Sequence, residues 1–290
     1  MLRWRLVLGT ILIAAMIGLC WLDNLAAMPG AWLLPLAVAA AVLATQETLG
    51  LAAMAGMRPL KWPVYCGNLL LVLANWTAVI QWTKHWPADR AMLAVLAAGV
   101  WLIFFAEMCR YRKPGGNMTN IAGGIFALIY VGVLLSFAVQ LRLYWGVAGI
   151  ATWIIVVKMG DTGAYTVGRL IGRHKMAPAI SPGKTIEGAF GAVLFSCVGA
   201  WAAFRWLAPA VSPELHLPPD KWLGWLVFGV VVGVAGLLGD LAESLFKRDV
   251  GAKDSSSWLP GFGGVLDILD SLLLSAPVAW FCWAIGVVGK

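Results

Sequence analysis

The sequence predicts an all-α polytopic integral membrane protein, on three observations. Of its 290 residues, 61% are apolar and only 12% are charged, with a mean hydropathy of +0.84. A soluble globular chain carries roughly 45–50% apolar and about 25% charged residues. The apolar residues gather in long runs, and the cations lie in short clusters between them. That placement turns a net charge of +7 away from nucleic acid and towards membrane topology. A water-soluble enzyme, a disordered chain and a secreted disulfide scaffold are all excluded.

A helix needs ~20 mostly apolar residues to cross the hydrocarbon core. Nine segments qualify, at about 5–22, 31–57, 63–83, 91–108, 119–139, 146–168, 186–207, 222–240 and 265–288. The first is basic and then apolar, but its run exceeds a signal-peptide core, so it reads as a retained anchor. The second carries Gln46, Glu47 and Gly50 and reads as tilted, broken or two shorter helices. Pro29-Gly30, Pro59, Pro114-Gly115-Gly116 and Pro218-Pro219 mark joints between segments. Among 17 tryptophans, Trp21, Trp62, Trp86, Trp145 and Trp222 sit at predicted helix ends, as interfacial belts require. The cysteines Cys20, Cys66, Cys109, Cys197 and Cys282 are widely spaced in apolar stretches without a CxxC, and read as small core residues.

Charge orients the chain. With a cytoplasmic N-terminus and alternating sides, the inner face receives Arg3, Arg5, Arg58, Lys61, Arg110, Arg112, Lys113, Arg169, Arg173, Lys175, Lys184, Lys247, Arg248 and Lys253, 14 of the 21 Lys and Arg. The outer face receives Lys84, Arg90, Arg142, Arg205, Lys221 and Lys290, and Lys158 falls inside a span. This asymmetry supports nine spans with the N-terminus inside and the C-terminus outside. Residues 1–145 then hold about five N-terminal spans. Residues 146–290 hold the chemistry, with inner-face loops at 169–185 and 241–264. His85 and His216 fall in outer loops and read as solvated.

Six of the 14 acids lie between positions 240 and 270. Asp240 and Glu243 end one span, and Asp267 and Asp270 open the next, each pair at i,i+3 spacing and so on one helix face. Charge at membrane depth is expensive, which makes such groups functional candidates. Oxygen-only donors without His or Cys select a hard cation, Mg²⁺ above all. The alternative is that they cap helices or form salt bridges to Lys247 and Arg248.

The intervening loop carries Ser244, Lys247, Arg248, Lys253 and Asp254, then glycines 261, 263 and 264. Its cations suit a polyanion. Its glycines permit φ > 0 and close backbone approach just before a helix N-terminus, where phosphate oxygens could be held. A second cluster follows the sixth span. Asp161, Tyr165 and Arg169 share a helix face at spacings of four. His174, Lys175 and Ser181-Pro-Gly-Lys184-Thr185 come next, either a phosphate site or a capped helix start with ordinary cations. Gly183-Lys184-Thr185 imitates the tail of a P-loop. Pro178 stands where the first glycine belongs, however, and no strand–loop–helix context is expected. Lys158 and Asp161 are spaced for a one-turn ion pair, and Glu47 and Glu107 read equally as packing or as site support.

Residues 244–270 resemble the signature of the phosphatidate cytidylyltransferases, or CDP-diacylglycerol synthases. Ser244, Lys247, Arg248, Lys253, Asp254, Ser256, Leu259, Pro260, Gly263, Gly264, Asp267 and Asp270 match in register. Phe262 replaces a His and Ile268 an Arg. The run Gly160-Asp161 to Gly168-Arg169 and the segment Ser181–Thr185 also look like this family.

That resemblance implies transfer of CMP from CTP to phosphatidate, giving CDP-diacylglycerol and pyrophosphate in phospholipid biosynthesis. It implies catalytic roles for Asp240, Asp267, Lys247 and Arg248, and Mg²⁺ on Asp240 and Asp267 with Glu243 and Asp270, as one cation or two. Lys247, Arg248 and Lys253 would bind CTP phosphates, and Ser181, Lys184 and Thr185 the lipid phosphate or the nucleotide. Asp161, Tyr165, Arg169, Ser244, Asp254, Gly263 and Gly264 complete the expected substrate-binding set. CTP and membrane phosphatidate are the expected partners, with a homodimer as an option and no nucleic acid. The expected site is the cytoplasmic face of a bacterial inner membrane. The rival readings are an isoprenoid lipid phosphate as acceptor, or a cation-coupled transporter.

Overall fold

The computed structural model describes residues 2–78, 88–215, 217–259, 261 and 263–289. Lys84, His85, Trp86, His216, Pro260, Phe262 and Lys290 lie outside the described residues, as does the end of the third apolar segment. Helices are α1 (Leu2–Leu25), α2 (Leu33–Met54), α3 (Lys61–Ala74), α4 (Ala88–Arg110), α5 (Asn117–Ala127), α6 (Leu134–Ile171), α7 (Ile186–Ala202), α8 (Ala208–Val211), α9 (Trp222–Asp249) and α10 (Leu266–Ala284). Helix occupies each of the nine apolar segments. Six described helical stretches are long and apolar enough to cross a membrane: Leu33–Met54, Arg90–Arg110, Asn117–Ile171, Ile186–Val211, Pro219–Asp249 and Leu266–Ala284.

The 55-residue stretch is broken where Trp145 (φ −123°, ψ 22°) and Gly146 (φ 64°, ψ −160°) leave helical geometry. Only glycine takes that positive φ without strain. The arm that restarts is capped by Ser212, whose Oγ accepts from Ala148 N at 3.3 Å. Trp145 packs on Trp280 and Trp283, with ring centroids 6.1 and 5.7 Å apart. It does not face outward as a belt residue would, whereas Trp21, Trp62 and Trp222 are exposed. Cys66 and Cys109 are exposed, which corrects their reading as core residues, while Cys282 is buried.

The all-α expectation needs an amendment. Lys175–Ala177 (β1) and Ser181–Thr185 (β2) pair antiparallel, and β2 runs directly into α7. A strand therefore does precede this helix. The tripeptide and pentapeptide lack the alternating apolar pattern that announces strands. Glu187 supports the hairpin from α7 by accepting from Arg173 N at 3.1 Å and His174 N at 3.2 Å.

The chain divides into two units, Met1–Leu143 with Asp249–Ile268, and Tyr144–Arg248 with Leu269–Lys290. In the first, Leu49, Val64, Leu71, Met92, Ile103, Ala127 and Leu128 form one buried cluster. Asp23, fully buried, accepts from the amides of Gly30, Trp32 and Leu33 ahead of α2 and pairs with Arg142 Nε at 2.5 Å. Arg142, counted above among outer-face cations, is thus buried, with its charge matched inside the protein.

In the second unit, glycines let α6, α7 and α9 approach closely. A Cβ on Gly163 would collide with the Gly191 carbonyl, and one on Gly191 would lie 2.5 Å from Val167. Ser196 on α7 donates to Val156 O at 3.0 Å, and Trp153 on α6 to Ser275 Oγ of α10 at 2.9 Å. These buried donors have no water to turn to, so each contact fixes helix register.

Candidate functional site

The second unit encloses a cavity of about 570 Å³ whose lining includes Asp161, Tyr165 and Arg169 of α6, Ser181, Lys184 and Thr185 of β2, and Asp240 of α9. The four-residue spacing on α6 and the hairpin bring the two predicted groups together around one space. Lys184 Nζ lies 2.8 Å from Asp240 Oδ2. Arg169 Nη1 donates to Tyr165 Oη at 2.5 Å, with the guanidinium 5.8 Å from the ring centroid. Thr185 also caps α7, its Oγ1 accepting from Gly188 N at 3.1 Å. The capped helix start and the cavity-lining position therefore coexist in one residue.

Beside these groups, Lys158 and Asp161 form the anticipated ion pair at 2.9 Å. Lys158 also donates to Ser271 Oγ at 3.1 Å, and Ser271 Oγ donates to Asp161 Oδ2 at 3.1 Å. Asp270 has Asp240, Asp161 and Lys158 as charged neighbours. The close approach of α10 behind it depends on Gly239, where a Cβ would strike the Asp270 carbonyl. Ser244 Oγ stands 3.5 Å from Asp240 Oδ1. Glu243, fully buried, is met by Lys247 at 2.9 Å, the salt bridge raised above as the alternative for these residues. Arg248 Nε donates to Ile180 O at 3.3 Å and so ties the end of α9 to the hairpin.

The signature loop is organised within the first unit. Lys253 and Asp254 are exposed. Leu259 and Gly263 exchange backbone hydrogen bonds at 2.9 and 3.0 Å, and Gly261 and Gly263 take φ of 84° and 88°. Gly264 does not; its value is close approach, because a Cβ there would collide with Ser255 Oγ and Glu47. Asp267 Oδ2 accepts from Ser255 N at 2.9 Å and Gly264 N at 2.7 Å, with Ser255 Oγ also 2.7 Å away. Glu47 accepts from Val265 N at 3.0 Å and Leu266 N at 2.7 Å, and lies 2.8 Å from both Ser255 Oγ and Ser256 Oγ.

A profile described as the cytidylyltransferase family matches residues 3–285. The chain belongs to the cytidylyltransferase family. A Mycobacterium bovis protein named phosphatidate cytidylyltransferase is 30% identical over 283 residues, spanning 94% of this chain and 86% of that one. Staphylococcus epidermidis and Bacillus subtilis proteins of the same name are 41% identical over 157 residues and 36% identical over 161. These two alignments span 53% and 55% of this chain, and 55% and 56% of the relatives.

In this cytidylyltransferase-family chain, the sequence left open or unmarked the roles of Glu47 and Ser255 beside the signature loop of the first unit, and of Ser271 and Lys158 beside Asp161 in the second. Glu47 had one legible signal, a carboxylate in an otherwise apolar run, which must find several donors to be tolerated there. At the helix start where phosphate oxygens could be held, the amides of Gly264, Val265 and Leu266 meet the carboxylates of Asp267 and Glu47. The carboxylates of Asp240 and Asp270 offer oxygen donors, and that chemistry fits a hard cation. Among the described residues no three His, Cys, Asp or Glu side chains are grouped to hold a metal.

Proposed function

We propose that this protein transfers CMP from CTP to phosphatidate, releasing pyrophosphate and forming CDP-diacylglycerol. The observation that carries this reading is the second-unit cavity, where Arg169, Lys184, Ser181 and Thr185 border the same space as Asp161 and Asp240. Its volume is that of a small-ligand site, and its polar groups are those that recognise phosphate. The names of the aligned relatives agree with it.

The chemistry asks little of a general base. A phosphate monoester carries about −1.5 to −2 charge at neutral pH and is already a nucleophile. Its oxygen forms a bond to the α-phosphorus of CTP, the α–β bridging P–O bond breaks, and pyrophosphate leaves with the electron pair. What opposes the step is repulsion between two polyanions, so catalysis is positioning and charge neutralisation. Lys184 and Arg169 bind phosphate oxygens in the cavity, and Tyr165 orients the guanidinium. Lys253, exposed on the signature loop, contacts CTP phosphates. Lys247, held by Glu243, and Arg248, held by Ile180, keep the end of α9 in place.

Asp240 and Asp270 are the proposed Mg²⁺ ligands. Asp267, one turn before Asp270 on α10, keeps its place in that set on helical spacing. Mg²⁺ is commonly held by one or two carboxylates plus substrate phosphates, so a site without three clustered side chains suits it. When bound, it supplies Lewis-acid neutralisation of phosphate charge. The cation asymmetry supports nine membrane crossings with the N-terminus inside, and a site on the cytoplasmic face of a bacterial inner membrane, where a soluble nucleotide meets a lipid headgroup.

The test is pyrophosphate release by purified protein in detergent with CTP, phosphatidate and Mg²⁺, alongside Asp267→Asn. Release needing all three components and lost in the variant is expected. Release only with an isoprenoid lipid phosphate would replace the acceptor, and no release with any lipid would sink the proposal.

A further inference from the structure

Glu47 stands in an apolar helix and is only 6% exposed, a setting where a carboxylate is tolerated only with several donors. It has four contacts of that kind, two from the backbone at the start of α10 and two from Ser255 and Ser256. The first amides of a helix have no partner in their own helix and carry the positive end of its dipole, so they attract an anion. At α10 that anion belongs to the chain itself, supplied by α2 some 200 residues earlier in the sequence. Asp267 completes the arrangement from inside α10 by taking Gly264 N and Ser255 N. Glycine at 264 is what allows the fit, since a side chain there would occupy the Glu47 carboxylate's place.

We propose that Glu47 is a positioning residue of the reaction: its carboxylate clasps residues 255–266 to the start of α10 and thereby fixes Asp267 and the loop that carries Lys253. The phosphates of CTP are consequently met by side-chain cations and not by the N-terminal amides of α10. The clasp follows from geometry alone; only its link to catalysis rests on the cytidylyltransferase reading of the site. Removing the carboxylate strands two amides and the Ser256 hydroxyl and leaves Ser255 Oγ to Asp267 alone, and the loop then samples positions in which Asp267 is misdirected. Supporting groups of this kind typically change metal affinity or rate by about 10–100-fold.

The experiment is hydrogen–deuterium exchange by mass spectrometry on the full chain in detergent, with kcat, KM for CTP and the Mg²⁺ concentration for half-maximal rate measured on the same samples. The variants are Glu47→Ala, Glu47→Gln and Glu47→Asp. In Glu47→Ala, exchange of the 255–266 amides should rise at least about tenfold, with α3 and α4 unchanged. Its kcat should fall and its Mg²⁺ requirement rise, with a smaller change in KM for CTP. Glu47→Gln should fall between it and the wild type, and Glu47→Asp should recover part of the loss.

Unchanged exchange at 255–266 in Glu47→Ala would overturn the clasp. Exchange rising throughout the first unit would also overturn it, by making Glu47 a general fold residue. Local loosening with unaltered kcat and Mg²⁺ requirement would overturn the positioning role. If the Glu47 variants do not fold, Ser255→Ala with Ser256→Ala removes the hydroxyl half of the clasp and must show the same local loosening, or the proposal fails. A wild-type protein without cytidylyl transfer would sink the functional reading, while the exchange data would still decide the clasp.

Discussion

Lys184 of strand β2 and Asp240 of helix α9 meet at 2.8 Å on the wall of the second-unit cavity, their side chains 17% and 36% exposed. A part-buried ammonium beside a carboxylate is positioned both to neutralise that carboxylate and to turn towards an incoming phosphate. A β-hairpin absent from the apolar pattern supplies one half of the pair, and a membrane-length helix supplies the other.

Lys184→Ala should therefore lower kcat/KM for CTP by about 10²-fold, the scale of losing one preorganised charge-bearing donor. Lys184→Arg should retain part of it. If both residues act through their pairing, the double variant with Asp240→Ala will be no worse than Asp240→Ala alone. Steady-state pyrophosphate release measures all four proteins, and fully additive losses would show that the pair is not a functional unit.

Chelation should abolish turnover. The side chains near Asp270 that could ligate a metal are carboxylates, so added Mg²⁺ should restore the rate, and Zn²⁺ at equal concentration should not. Titration of each metal into EDTA-treated protein decides this. Equal rescue by Zn²⁺ would contradict an oxygen-only, hard-cation site.

The Asp23–Arg142 pair should serve stability and not the reaction. Asp23→Ala leaves a buried guanidinium unmatched and also removes the acceptor for three amides ahead of α2, a loss on the order of 3–5 kcal/mol. Thermal unfolding in detergent should show the drop, with the rate per folded molecule at low temperature preserved.

Gly191→Leu should destabilise the second unit by about 1–3 kcal/mol and reduce activity, because its side chain would be driven into Val167 at the α6–α7 crossing. Gly183→Ala is the control: nothing stands within 4 Å of a Cβ there. Thermal midpoints for the two variants should separate cleanly.

Much of this was legible in the chain. Apolar run length marks membrane-length helices because hydrocarbon demands internally paired backbone. Spacings of three and four placed Asp161 with Tyr165 and Arg169, and Lys158 with Asp161, because a helix converts sequence interval directly into a shared face. The β1–β2 hairpin was not legible, since its few half-exposed residues follow no period. Arg142 misled as a surface cation because its partner Asp23 lies more than a hundred residues away.

By itself, then, the sequence determined a helical membrane architecture and the two clusters proposed to carry the chemistry. Both are encoded locally, by hydrophobicity over one helix length and by spacing within one or two turns. Only the tertiary structure decided that Lys184 faces Asp240, that Glu243 belongs to Lys247, and that the amides opening α10 belong to Glu47. Lys184 and Glu47 meet their partners across long stretches of chain, where spacing in sequence carries no distance information. Glu243 and Lys247 sit one turn apart, but burial of the carboxylate chose their ion pair over the other roles that spacing allowed.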